Sequence, residues 1–210
     1  MISIAVPTGT LLGGSLELLA RADIVEISPE EIGRKLLVEQ GGVRVVLVRP
    51  TDVPAYVDHG AVDLGIAGKD SIWETEGRPY ELVDLHYGPC TFVLAVPEGS
   101  PIRERESWPP SLRVATKYPR AARRALRRLG QPAQVLHLHG SVELAPLVGL
   151  ADGIADLTAT GRTLRANHLR VVAELGHSTA RLIANQASLK VRWDAIGDVV
   201  ARVREVTERG

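Results

Sequence analysis

The stretch ELAPLVGLADGIADLTATGRTLRANHL, residues 143–169, decides the fold class. Ala145, Leu147, Val148 and Leu150 predict a short apolar helix that Gly149 and Gly153 punctuate. Residues 153–157, GIADL, predict a buried strand that runs straight into the turn TATGRTL, residues 158–164. Strand, tight turn and helix in immediate succession are the unit of an α/β sheet. Within the turn, Thr160 and Thr163 supply hydroxyl donors and Gly161 lets backbone N–H groups approach an oxyanion, with the positive end of the next helix facing the same spot. The same residues also make an ordinary helix N-cap. Asp156 at the strand end and Arg162 in the turn favour chemistry, because a carboxylate beside a phosphate cradle suits a sugar phosphate.

Outward from this stretch the alternation continues. Ile2 to Val6 predicts a strand, Leu11, Leu12, Leu16 and Leu19 fall at helical spacing, Val43 to Val48 is a strand, Val53 to Val57 a helix, and Val62 to Ile66 a strand. Thr91 to Pro97 is a further strand, and Pro101 to Pro110, with its prolines and charges, is expected to be the loop where the chain changes domain. The pattern then repeats: strand Leu112 to Thr116, helix Pro119 to Leu129 stopped by Gly130, strands Gln134 to Leu138 and Gly153 to Leu157, strand Arg181 to Asn185. A C-terminal helix from about Trp193 to Glu208 carries the stripe Ile196, Val199, Val200, Val203. No internal repeat interrupts this. Two α/β lobes with a cleft between them are the economical arrangement for 210 residues.

Composition excludes several classes. Apolar residues make up 45% and charged residues 24%, and 25 basic residues balance 25 acidic ones, so no global charge advertises nucleic acid or membrane as a partner. The N-terminus enters a strand without the basic and long apolar regions of a secretory signal, which predicts a cytoplasmic protein. A single cysteine, Cys90, fits a reducing compartment and reads as a small buried hydrophobe.

Other strand ends also carry candidates. In Gly65-Ile66-Ala67-Gly68-Lys69-Asp70, Gly68 admits a ligand close to the backbone and Lys69 brings charge to a phosphate, although Asp70 is equally an N-cap and Lys69 equally a solvated side chain. In Ala115-Thr116-Lys117-Tyr118-Pro119, Lys117 can bind phosphate, and Tyr118 can stack on a base or cover the sheet edge. Glu143 can face a ribose hydroxyl or water around a metal; Ser141 and Glu143 can also simply cap and charge the first helical turn. Arg120, Arg123, Arg124, Arg127 and Arg128 lie opposite the alanines and leucines of their helix and read as a solvated face rather than a nucleic-acid patch. The six histidines show no metal-ligand spacing, so no protein-built metal site is expected.

Glu143, Gly149, Ala151, Asp156, Leu157, Thr160, Gly161, Thr163 and Leu164 together resemble the signature of the ATP phosphoribosyltransferases that open histidine biosynthesis. The resemblance extends over nearly the whole chain and includes Gly68-Lys69-Asp70. It departs at Pro7-Thr8-Gly9-Thr10, where members usually have Pro-Lys-Gly-Arg, and at Ala159, where a polar or acidic residue is common.

The resemblance implies a two-lobed periplasmic-binding-protein-like architecture of type II, with residues 1–92 plus 178–210 as one lobe, 93–177 as the other, and the active site in the interlobe cleft. It implies Mg²⁺-dependent transfer of phosphoribosyl from phosphoribosyl pyrophosphate (PRPP) to N1 of ATP, giving 1-(5-phosphoribosyl)-ATP and pyrophosphate. Thr160, Gly161, Arg162, Thr163 and Leu164 would bind the 5′-phosphate, and Glu143 and Asp156 would position the ribose. Lys69, Lys117, Tyr118 and Gly9 would bind pyrophosphate or ATP, with Mg²⁺ carried by the substrate. The short form of the family further implies a homodimer within a hetero-oligomer containing a regulatory subunit similar to histidyl-tRNA synthetase. The alternative, encouraged by Thr8 and Thr10, is a non-catalytic anion- or nucleotide-binding paralogue of the same fold.

Overall fold

The computed structural model describes residues 1–33, 35–77 and 79–209. In chain order the elements are β1 (Ile2–Pro7), α1 (Leu12–Arg21), α2 (Pro29–Ile32), β2 (Leu37–Gln40), β3 (Val43–Val48), α3 (Val53–Asp58), β4 (Leu64–Gly68), α4 (Lys69–Glu74) and β5 (Tyr80–Asp84). They continue with β6 (Cys90–Pro97), β7 (Arg113–Thr116), α5 (Pro119–Arg128), β8 (Gln134–His137), α6 (Leu144–Leu147), β9 (Gly153–Thr158), α7 (Arg162–Ala166), β10 (Leu169–Ser178), β11 (Ala180–Ala184), α8 (Gln186–Val191) and α9 (Trp193–Arg209). They form two units, one of Met1–Gly88 with the segment from Thr179 onward, the other of Pro89–Ser178.

The first unit is built on a six-stranded sheet in the order β2-β3-β1-β4-β11-β5. β1 runs parallel to β3 and β4, while β11 enters antiparallel to both β4 and β5. The returning strand therefore sits inside the sheet rather than at its edge. Period-two alternation sorts its residues between two cores. Ile4, Val6, Leu64, Ile66 and Leu182 pack with Leu19 of α1 and Ile196, Val199 and Val203 of α9. Ala5, Ala67 and Ile183 face the other way, onto Val53 and Val57 of α3. Gly65 makes that second layer possible, because a Cβ there would sit 2.6 Å from Val57 and 2.8 Å from Val53.

Asp63 ties the two ends of this unit together. Buried at the start of β4, its carboxylate accepts from the backbone N–H and hydroxyl of Ser3 at 2.9 and 2.8 Å, the hydroxyl of Ser188 at 2.8 Å and the guanidinium of Arg192 at 3.0 Å. Burial pushes its carboxyl up, but these donors outweigh it and hold the group below its ordinary value.

The second unit has a five-stranded sheet in the order β10-β6-β9-β7-β8, with β7 parallel to β8 and β9, and β6 antiparallel to β9 and β10. Val93, Ala95, Ala115 and Ile154 line one core with Ala145, Leu164 and Leu169. Ala121, Ala122, Ala125 and Leu126 are the buried side of α5, whose arginines at 120, 123, 124, 127 and 128 are exposed.

Several expectations are corrected. The chain leaves the first unit at Gly88–Pro89, not after residue 92 nor within Pro101–Pro110, because Cys90, Thr91 and Phe92 already pair with β10. It returns after Ser178 rather than after residue 177. The 101–110 loop belongs to the second unit and buries Ile102 and Trp108. The apolar helix expected near residues 145–150 is the single turn α6; Ala145 is buried, whereas Leu147, Val148 and Leu150 are exposed. Cys90 is half-buried rather than fully buried. The strands β2, β5 and β10 were not expected. β5 carries Glu81 and Asp84, and β10 has irregularities between Val171 and Ala173 and between Glu174 and Gly176 that break its alternation. Among the described residues no helix is long and apolar enough to cross a membrane.

Candidate active site

In the second unit the parallel strands β7, β8 and β9 deliver three loops to the same end of the sheet. Lys117 follows β7, Glu143 stands at the head of α6 beyond β8, and Asp156 lies near the end of β9. Ligand contacts in open α/β sheets collect at such carboxyl ends. Arg113, at the start of β7, clamps the approach to β9: its guanidinium holds the carboxylate of Asp152 at 2.7 Å and the carbonyl of Gly149 at 3.1 Å.

Asp156 is the electrostatic centre of this end. Its side chain is 13% exposed, and Lys117 Nζ lies 4.0 Å from its Oδ2. Oδ1 accepts from the Leu157 N–H at 2.9 Å. Burial is the main cause that raises its pKa; the Leu157 N–H and Lys117 pull it down, and the negative charge of Glu143 pushes it up again. Glu143, Asp156 and Lys117 thus share one electrostatic environment although they come from three separate segments.

The turn after β9 is built around Gly161, which adopts φ +69° at the N-cap of α7. A residue with a side chain is strained there, and its Cβ would lie 2.9 Å from Arg165 Nη1. The Gly161 N–H donates to the Thr158 hydroxyl at 2.8 Å, and the Arg165 guanidinium donates to the Thr160 carbonyl at 2.9 Å. Thr160, Arg162 and Thr163 are exposed, so their hydroxyls and guanidinium face outward. Leu164 is buried among Val93, Ile154 and Leu169 and anchors the turn from beneath. Arg165 is a second cation that was not singled out in the sequence; the signal was its place one turn after Gly161.

Tyr118 is half-buried and packs edge-on against Phe92, ring centroids 5.9 Å apart at 80°. Its ring therefore covers the sheet. Its N–H donates to the Thr116 hydroxyl at 2.9 Å. Ser141 does not cap α6 with its hydroxyl: it adopts φ +48°, and its carbonyl accepts from the Leu144 N–H at 3.2 Å. No group of three or more His, Cys, Asp or Glu among the described residues is arranged to hold a metal ion.

A family model for ATP phosphoribosyltransferase (HisG) matches residues 49–205. The chain belongs to the ATP phosphoribosyltransferase family. It is 47% identical over 204 residues to the ATP phosphoribosyltransferase of Rubrobacter xylanophilus, an alignment covering 96% of this chain and 94% of that one. It also superposes on the ATP phosphoribosyl transferase (HisG:HisZ) complex from Thermotoga maritima with TM-score 0.82 at 30% identity, over 100% of both chains. The periplasmic aliphatic sulphonate binding protein SsuA from Escherichia coli matches 98% of this chain and 68% of its own at TM-score 0.62 and 17% identity, which identifies the architecture as periplasmic-binding-protein-like.

The first unit of this ATP phosphoribosyltransferase-family chain holds the remaining sequence candidates. Gly9 has φ +78° and opens a single 3₁₀ turn, Gly9–Leu11, directly after β1. Its neighbours in sequence, Thr8 and Thr10, are not basic; the Thr8 N–H is held by the Val48 carbonyl at 2.9 Å. Lys69 follows Gly68 at the end of β4, and its N–H donates to the Thr179 carbonyl at 3.0 Å. Its ammonium is paired with both carboxylate oxygens of Glu81 on β5, a residue the sequence did not single out. Gly68, not Asp70, occupies the N-cap of α4, and Asp70 lies in the first turn.

Proposed function

We propose that this chain transfers the phosphoribosyl group of PRPP to N1 of ATP, releasing pyrophosphate as the first step of histidine biosynthesis. The observation that carries the site assignment is the half-buried Asp156, with Lys117 at 4.0 Å, shortly before the turn that exposes Thr160, Arg162 and Thr163. A carboxylate with few donors of its own suits ribose hydroxyls, and a positively charged turn suits the 5′-phosphate two strand residues further on.

Displacement at the anomeric carbon passes through a cation-like centre as pyrophosphate leaves and the adenine nitrogen arrives. No covalent enzyme nucleophile is required; the protein's part is alignment and charge stabilisation. Thr160, Gly161, Arg162 and Thr163 hold the 5′-phosphate, with Leu164 as their anchor. Asp156 and Glu143 face the ribose and the developing positive charge. Lys69 and Lys117 neutralise pyrophosphate or the ATP phosphates, and Gly9 offers its backbone to the nucleotide.

Magnesium would arrive with the substrate and would supply charge neutralisation to the departing pyrophosphate. Asp156 and Glu143 supply hard oxygen donors that would help hold such an ion. The T. maritima neighbour is a HisG:HisZ complex. We assign this chain an equivalent arrangement, a homodimer bound to a regulatory subunit similar to histidyl-tRNA synthetase, in the cytoplasm.

The test is to combine the chain, alone and with that subunit, with ATP, PRPP and Mg²⁺. Pyrophosphate release with the absorbance of the N1-substituted product is expected. Binding of both substrates without turnover under either condition would instead identify a non-catalytic relative.

A further inference from the structure

Lys69 is not a free cation. Its ammonium reaches both carboxylate oxygens of Glu81, and the two side chains are only 24% and 33% exposed. They come from different strands, since β4 ends just before Lys69 and Glu81 lies on β5, opposite Ile183 of β11. The backbone places them independently. The Lys69 N–H is fixed to the Thr179 carbonyl, and β5 is held in register along β11 by Arg181 and Asp84, which pair at 2.8 Å. Asp70 neighbours Lys69 in sequence and has its own contact with Ser71.

A lysine meant to hold a polyanion and a carboxylate already seated on it compete for one charge. Removing Glu81 leaves a half-buried ammonium without its counter-ion, which raises its attraction for any phosphate. We propose that Glu81 is an exchangeable counter-anion for Lys69: it holds the ammonium before polyphosphate binds, yields it to the phosphate, and takes it back as pyrophosphate departs. This rests on the assignment of Lys69 to pyrophosphate or triphosphate given above. Glu81 is a positioning residue that acts through Lys69. Its effect is to keep product affinity low, so that charge stabilisation during the reaction does not trap the product afterwards.

Magnesium pyrophosphate binding to the full chain, measured by calorimetry and by product inhibition, tests this. Glu81→Gln is expected to tighten pyrophosphate binding about threefold to tenfold and to lower kcat more than KM. Glu81→Asp, which keeps the charge, is expected to stay close to the unsubstituted protein. Lys69→Met should weaken pyrophosphate binding, and adding Glu81→Gln to it should change nothing further. If Lys69→Met weakens binding while Glu81→Gln leaves it unchanged or weaker, Glu81 merely orients the lysine and the exchange is wrong. If Lys69→Met leaves binding unchanged, the assignment of Lys69 itself fails. Thermal melts of each variant separate either result from loss of fold.

Discussion

The ammonium of Lys117 lies 4.0 Å from the carboxylate of Asp156, although the two residues belong to separate strand ends 39 positions apart in the chain. Lys117 is the more exposed partner at 38%. Lys117→Met therefore leaves the fold standing and removes one cation from the site. We expect kcat/KM for PRPP to fall by on the order of 10²-fold, with the melting temperature nearly unchanged. Steady-state kinetics together with a thermal melt check both halves.

Asp156 carries an opposite pair of effects. Burial raises its folded pKa above the ordinary value of 3.8. An acid with a raised folded pKa loses stability as pH rises from its unfolded value through the folded one. Asp156→Asn mimics the neutral acid, so near pH 7 the variant should melt higher than the parent while losing activity by roughly 10²-fold or more. Below pH 3.8 the stability difference should vanish. A variant that melts lower at pH 7 would mean that the carboxylate is stabilised in the native state.

The exposed hydroxyls of Thr160 and Thr163 make a narrower prediction. Hydrogen bonds to a charged group contribute about 1.5–3 kcal/mol each. Replacing both threonines with alanine should raise the apparent KM for PRPP by at least about tenfold while leaving the KM for ATP much less affected. Gly161→Ala should act in the same direction, through strain at φ +69°. Unchanged PRPP kinetics in all these variants would remove the 5′-phosphate from this turn.

Asp63 is a stability residue rather than a site residue. Asp63→Ala leaves Ser3, Ser188 and Arg192 without their shared acceptor. Loss of this buried acceptor, which leaves its hydrogen-bond donors unmatched, costs about 3 kcal/mol, a drop in melting temperature of roughly 10 °C for a chain of this size. Because its folded pKa is depressed, Asp63 contributes fully above about pH 4 and loses that contribution as pH falls through the folded value. Melts across pH 3 to 7 should show the parent and the variant converging at the acid end.

Much of the fold was legible because local pattern and burial agree. β1, β3, α3, α5 and α9 lie where their apolar periods placed them. What escaped was structure whose pattern is spoiled by its neighbours. β5 is marked by charges because Glu81 pairs with Lys69 and Asp84 with Arg181. β10 is irregular because its ladder to β6 slips twice. The α6 segment misled for the reverse reason: Leu147, Val148 and Leu150 look like a core face and are exposed.

The candidate residues themselves were also visible, since a turn of Thr160, Gly161 and Thr163 after a strand announces its hydrogen-bonding capacity in its composition. Their state was not. Whether Tyr118 meets a base or Phe92, whether Lys69 is free or held by Glu81, and whether Asp156 is titrated upward all depend on groups distant in the chain. The amino-acid order by itself determined the α/β class, the glycine turn after β9 and the polar residue types offered at the strand ends, because periodicity and backbone freedom act over a few residues. Only the tertiary structure decided that β11 lies inside the first sheet and which charge neutralises which, because strand pairing and electrostatic fields act through space between segments that the sequence keeps apart.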